Sequence, residues 1–197
     1  MTKTVEFFYD YASPFSYLAD CQLPSIAARR GARIVYRPAI LGVLIVESGN
    51  QAPPTVPAKM KYLNADMRRW ADRLRVPFAP NPAFPVRSIT LMRAALIAQD
   101  GGVFERFHPA MWRAMWVDGA NLGDTDVLGR TLANAGLDAA TILKGTQDDA
   151  VKGRLKANCD EALARGAFGM PTFFVGGEMF FGNDRLDFVD AALTASA

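Results

Sequence analysis

The sequence is poor in the residues that metal centres and redox pairs need: two cysteines and one histidine in 197 residues. Cys21 and Cys159 stand far apart, in neither a Cys-x-x-Cys nor a metal-ligand spacing, so the pattern excludes a disulfide framework and a zinc site, and no metal is expected. Both fall in stretches of helical periodicity, where a free cysteine serves as a small buried hydrophobe. Long apolar runs are missing too. A membrane helix needs about 20 apolar residues, and the longest candidate, Ala39 to Val46, is far too short. No membrane association is expected. Charge of one sign is also lacking: 22 basic residues face 20 acidic ones for a net charge of +2. The basic residues are scattered apart from pairs such as Arg29–Arg30 and Arg68–Arg69, which argues against a nucleic-acid partner. The first residues carry one lysine and run directly into a strand-like segment without a long apolar stretch, so the chain reads as unprocessed and cytoplasmic.

What is present is apolar bulk. Half of the residues are hydrophobic, enough to bury a substantial core in one domain or in a domain carrying a large insertion. Thr4 to Tyr9 alternates and is rich in β-formers, and Arg33 to Arg37 repeats the pattern. Pro14 to Arg30 between them reads as one helix, with Ser13 as N-cap, Pro14 at the first helical position and Gly31 as the stop. This is a β-α-β unit.

From Pro38 to about Asp160 helical patterns follow one another: Ala58 to Leu74, Arg87 to Gln99, Val103 to Val117, Thr125 to Asn134 and Asp148 to Arg165. Strand character returns with Thr172 to Val175, a Gly176–Gly177 turn and Glu178 to Phe181, a tight hairpin, followed by a helix over Asp184 to Leu193. The order, β-α-β and β-β-α split by a large all-helical insertion, is that of a thioredoxin-like α/β sheet; periodicity alone gives only a mixed α/β protein, and the sharper assignment rests on the motifs. The expected division is 1–40 with 160–197 for the thioredoxin-like part and 41–159 for the helical insertion.

Three places carry candidate chemistry. Ser13 lies where the first strand meets its helix, beside unpaired N–H groups and the positive end of the helix dipole. A thiolate placed there gains a hydrogen bond and a favourable field, so the serine can activate a bound thiol; an ordinary N-cap serine is the alternative. Met170–Pro171 precedes a strand: with a cis bond, the Met170 main chain faces outward to pair with an extended peptide, and without it Pro171 is a plain turn proline. Asn183 or Asp184 can cap the last helix, whose free N–H groups can take a carboxylate, while Asp184 can pair with an ammonium.

The combination resembles a known family. Val5-Glu6-Phe7-Phe8-Tyr9-Asp10, Ser13-Pro14-Phe15-Ser16-Tyr17-Leu18, Ser48-Gly49-Asn50-Gln51-Ala52-Pro53-Pro54 with Pro57, Lys59 and Tyr62, Phe168-Gly169-Met170-Pro171, and Phe181-Gly182-Asn183-Asp184-Arg185-Leu186 follow in the order found in kappa-class glutathione transferases and 2-hydroxychromene-2-carboxylate isomerases. The resemblance implies a DsbA-type thioredoxin fold with a helical insert, glutathione as cofactor, and a homodimer. Ser13 stands where redox relatives carry the first cysteine of Cys-x-x-Cys, and Ser16 takes the place of the second, so dithiol–disulfide exchange through that motif is excluded. The resemblance makes Pro171 the cis-proline, pairs the Met170 main chain with the cysteinyl part of glutathione, and places Asn50 and the Asn183-Asp184-Arg185 helix start at the polar groups of the tripeptide.

Ser48 to Pro57 resembles the transferases, whereas Glu178 to Leu186 is more similar to the isomerases, and the latter bears on the active-site end. The reading is therefore a glutathione-dependent cis-trans isomerase of an aromatic hydroxy-pyruvylidene substrate, a step of aromatic catabolism, with the thiolate held by Ser13 as covalent nucleophilic catalyst. Lys59, Lys61, Tyr62 and Arg87 are candidates for substrate contact, and Phe15, Trp112 or Trp116 for an apolar wall. The rivals are a transferase or peroxidase that consumes glutathione, a serine hydrolase using His108 as base, and a peptide-binding module without catalysis.

Overall fold

The computed structural model describes residues 3–52 and 55–195, so the Pro53–Pro54 pair lies outside the described residues. Strand β1 (Thr4–Tyr9) pairs in parallel with β2 (Arg33–Pro38), Phe7 opposite Tyr36, and antiparallel with β3 (Thr172–Val175), Phe7 opposite Phe173. β3 turns into the antiparallel β4 (Glu178–Phe181), which completes a four-stranded sheet in the order β2-β1-β3-β4. Strand β1 is therefore central and buried on both faces. Val5, Phe7 and Tyr9 share the main core with Phe173 and Val175, while Phe8 joins Phe174, Leu44, Cys159 and Met170 in a second cluster.

The segment expected as one helix over Pro14 to Arg30 is two: α1 (Pro14–Asp20) and α2 (Leu23–Arg30). Pro24 is the cause, since inside a continuous helix its ring would meet the carbonyl of Asp20 and its nitrogen would have no hydrogen to donate. Placed in the first turn of α2 it costs nothing. Gly31 ends α2 in the left-handed conformation, φ 60°.

The helical region holds α3 (Leu41–Glu47), α4 (Pro57–Leu74), α5 (Ile89–Asp100), α6 (Phe104–Trp116), α7 (Thr125–Asn134), α8 (Ala139–Gly145) and α9 (Asp149–Ala164). Sequence reasoning did not anticipate α3 or α8. Helix α8 is short, but Asp138 caps it by accepting the Thr141 N–H, a signal that was available. Helix α3, apolar from Leu41 to Val46 and rich in β-branched residues, has no local cap. Its first N–H, from Leu41, is accepted instead by the side chain of Asp10, 31 residues earlier. Beyond β4, a single 3-10 turn (Asn183–Arg185) leads into α10 (Leu186–Ala195), which Asp190 clamps to α2 through Arg29 and Arg30. Among the described residues no helix is long and apolar enough to cross a membrane, and no group of three His, Cys, Asp or Glu could hold a metal ion.

Candidate functional site

Ser13 is the N-cap of α1, and its hydroxyl oxygen accepts the Ser16 N–H at 3.1 Å. The same hydroxyl donates to the Met170 carbonyl oxygen at 3.4 Å, a long contact that an incoming acceptor can replace. The turn carrying Ser13 is held from several sides. The Ser13 N–H donates to the Asp10 carbonyl at 2.9 Å, and the Trp116 indole N–H reaches the Tyr11 carbonyl at 2.8 Å. Only 2% of Ser13 is exposed, so its hydroxyl sits at the floor of a recess.

That recess is a cavity of about 810 Å³. Ser13, Met170, Pro171, Asn183 and Asp184 line one end, with Asn50 nearby. The Met170–Pro171 peptide is cis. The Asn50 amide donates to the Phe168 carbonyl at 3.0 Å and so ties the loop after α3 to the loop before β3. Asn183 is 4% exposed, and its side-chain nitrogen has no hydrogen-bond partner among the described residues. A buried amide donor left unpaired is costly, and a ligand acceptor in the cavity would relieve it.

Much of the remaining lining is apolar, with Asn64 and Asp66 of α4 among the polar exceptions. Helix α4 turns one face to it, Met60, Leu63, Met67 and Trp70 at spacings of three and four residues, and Phe15, Phe84 and Trp116 close it. That stripe could have been read from the sequence, because it lies opposite the charged face of α4. Lys59 and Arg87 bring cations to the lining.

Not every candidate residue gathers here. Arg185 is absent from the lining and pairs with the Asp184 carboxylate at 2.6 Å. Lys61 and Tyr62 are exposed outside the cavity, Tyr62 with 60% of its surface in solvent. Trp112 also lies off the lining and packs on Tyr11, the ring centroids 4.4 Å apart.

His108 is likewise off the lining. Its Nδ1 lies 2.5 Å from the Tyr11 hydroxyl, and its Nε2 lies 3.0 Å from Asp20 and 3.1 Å from the Trp112 indole nitrogen. Both ring nitrogens are thus engaged in a buried polar cluster that joins α6 to α1. Burial pushes the Tyr11 hydroxyl well above the usual tyrosine range, so it stays protonated.

Sequence reasoning missed Asp10 as a lining residue. Its carboxylate is 1% exposed and accepts from Ala12 N–H at 2.9 Å, Leu41 N–H at 2.8 Å and the Ser88 hydroxyl at 2.9 Å. Burial raises its proton affinity, and these three donors act against that rise. Nothing in the local pattern of Asp10 points to Ser88.

A central strand followed by a capped helix, facing a cis-proline loop across a recess, is an arrangement that known proteins share. Residues 4–194 match the DSBA-like thioredoxin domain. The 2-hydroxychromene-2-carboxylate isomerase of Sphingobium xenophagum is 36% identical over 98% of this chain and 99% of its own. The chain belongs to the DsbA-like thioredoxin family, in the branch that holds these isomerases and the kappa glutathione transferases. Glutathione S-transferase kappa 1 of Rattus norvegicus is 27% identical, covering 94% of this chain and 88% of its own. A solved 2-hydroxychromene-2-carboxylate isomerase superposes with a TM-score of 0.87 at 26% identity, over 98% of this chain and 95% of that one. Both motif positions of this chain, Ser13 and Ser16, are serines, and the dithiol chemistry of redox relatives has no sulfur to work with.

Proposed function

We propose that this protein is a glutathione-dependent isomerase acting on 2-hydroxychromene-2-carboxylate or a close aromatic hydroxy-pyruvylidene analogue. The observation that carries the reading is the placement of Ser13: a buried hydroxyl at a helix N-terminus, opening onto a cavity large enough for a tripeptide and an aromatic acid together. The similarity to the Sphingobium isomerase over nearly the whole of both chains supports the same choice.

The residues fit glutathione. The unpaired Asn183 amide offers a donor to a carbonyl or carboxylate, Asp184 can meet an ammonium, and the Met170 main chain lies beside Ser13. Bound there, glutathione would supply a nucleophilic thiolate for reversible addition to the unsaturated side chain of the substrate, the chemistry that permits rotation about the former double bond without consuming the thiol. The Ser13 hydroxyl turns from Met170 to donate to sulfur, and the first turn of α1 adds the positive end of its dipole. Phe15, Trp70, Phe84 and Trp116 hold the aromatic part and exclude water. Lys59 and Arg87 attract the carboxylate of the substrate and stabilise negative charge that develops beside it. Cytoplasmic placement, a homodimeric assembly and a role in aromatic catabolism belong to the same proposal.

The test is the absorbance change of 2-hydroxychromene-2-carboxylate with the purified protein, with and without glutathione, for the wild type and Ser13→Ala, with free thiol titrated throughout. Glutathione-dependent conversion that the variant loses, at constant thiol, is the expected result. The kappa transferase relatives motivate the second reading, in which glutathione is consumed on an electrophile or hydroperoxide. Steady thiol loss with a halide or peroxide, and no isomerisation, would establish that reading in place of the first.

A further inference from the structure

We propose that Asp10 is the positioning residue of this site, a single buried carboxylate that sets the place of Ser13 and of the facing cavity wall together. The proposal rests on the reading of Ser13 as the thiolate-holding group.

The argument starts from two helices that forgo their own caps. Ser88 stands at the N-cap of α5, where a serine normally accepts an N–H of its own helix, yet it makes no such bond and donates its hydroxyl to Asp10 at 2.9 Å. Helix α3 begins after Ile40, which has no capping side chain, and its Leu41 N–H goes to the same carboxylate at 2.8 Å. The other carboxylate oxygen takes the Ala12 N–H, and the Asp10 main-chain carbonyl takes the Ser13 N–H. Three chain segments, 10–13, 40–41 and 88, are therefore fixed to one residue at the cavity wall.

Each segment presents something to the cavity. The first carries Ser13, the second Ile40 and Leu41 at the wall, and the third Arg87, the neighbour of Ser88. A carboxylate is suited to this task because both oxygens accept and neither donates, so three donors can converge on it without conflict. The same neighbourhood makes an asparagine unsuitable. Its amide nitrogen would face either the Ala12 N–H or the Leu41 N–H, and that buried group would lose its acceptor.

Asp10→Asn removes charge as well as geometry, and the two effects have opposite signs. Loss of a nearby negative charge alone would lower the pKa of a bound thiol, whereas a displaced Ser13 would raise it. Ser88→Ala removes one anchor and no charge, and it also guards against a poorly folding Asp10→Asn. Asp190→Asn, far from the cavity on the clamp between α2 and α10, serves as a control for general destabilisation.

The experiment is an ultraviolet titration of the thiolate band of glutathione at saturating ligand, together with kcat and KM for the isomerisation. Both cavity variants are expected to raise the bound thiol pKa, Ser88→Ala because it weakens the hydrogen bond to the charged form without removing charge, and Asp10→Asn because the bond lost from Ser13 acts on the sulfur directly and outweighs the lost charge. The kcat of Asp10→Asn is expected to fall by about tenfold to a hundredfold, the scale of a small misplacement of reacting groups. Asp190→Asn should leave the titration unchanged. A wild-type thiolate band that Ser88→Ala and Asp10→Asn leave in place, or that Asp190→Asn shifts equally, overturns the positioning role alone. Absence of the band in the wild type removes the glutathione reading and this inference with it.

Discussion

The hydroxyl of Ser13 lies 3.4 Å from the carbonyl oxygen of Met170, a contact that spans 157 positions of sequence and brings the start of α1 to the cis-proline loop. This hydroxyl also accepts the Ser16 N–H, so one atom group serves both the helix and the cavity. Ser13→Ala should therefore lose stability and activity together. The missing cap is expected to cost about 1 kcal/mol in denaturant unfolding. The isomerisation rate should fall well beyond what that stability loss explains if the hydroxyl serves the proposed thiolate, because the folded variant lacks that donor. A variant with the stability loss but wild-type kcat would remove Ser13 from the chemistry.

Gly182 precedes Asn183 with φ 106° and ψ 149°, a conformation that side chains disfavour. A Cβ there would sit 2.5 Å from an Asp184 carboxylate oxygen. Gly182→Ala is thus expected to lower stability by about 1–3 kcal/mol and to move Asp184. Calorimetric titration with glutathione should show weaker binding in the folded protein. Unaltered affinity would mean that the Asn183–Asp184 end of the cavity does not hold the tripeptide.

The cations separate by position. Arg87 lines the cavity and Lys61 does not. Arg87→Ala should raise KM for the carboxylate substrate by about tenfold, a typical loss for one charge-assisted contact, and Lys61→Ala should leave it near the wild-type value. Equal effects from the two substitutions would contradict the placement of the substrate in this recess.

Asp190 gives a pH-dependent stability. The hydrogen-bonding fork of Arg30, with Arg29 beside it, holds its carboxyl down to about 2. An unfolded aspartate titrates near about 3.9. Because the folded value is the lower one, this stabilisation is complete above the unfolded value and is lost as the pH falls toward about 2. Asp190→Asn is expected to lower stability at neutral pH by the modest amount of a partly exposed pair, about 1 kcal/mol or less, read as a lower Tm. The gap should close as scans are taken at pH values from about 4 downward. A gap that persists to the lowest pH would show that the carboxylate charge contributes nothing to the clamp.

Much of the fold could be read along the chain because it is local. The alternation of Thr4–Tyr9, the helical start at Ser13–Pro14, the Gly176–Gly177 hairpin and the α4 periodicity each depend on neighbouring residues. The errors arose where a distant group changed a local outcome or a local signal was overlooked. Pro24 divides what periodicity alone joins, and α3 begins at a cap supplied by Asp10. Helix α8 is short enough that its Asp138 cap is most of its signal.

The candidate site follows the same division. Motif residues at 13, 50, 170, 171, 183 and 184 were visible as types and spacings, and the amino acids themselves settled that no dithiol chemistry is available, since Ser13 and Ser16 carry oxygen where sulfur would be needed. Which basic residues reach the cavity was not visible: on α4, Lys59 lines it while Lys61, two positions on, points elsewhere, because residues two apart on a helix do not share a face. The convergence of Ala12, Leu41 and Ser88 on one carboxylate exists only in three dimensions, for a buried acceptor takes whichever donors packing brings to it. Residue chemistry thus came from the sequence, and the tertiary structure decided which residues face one another across the cavity.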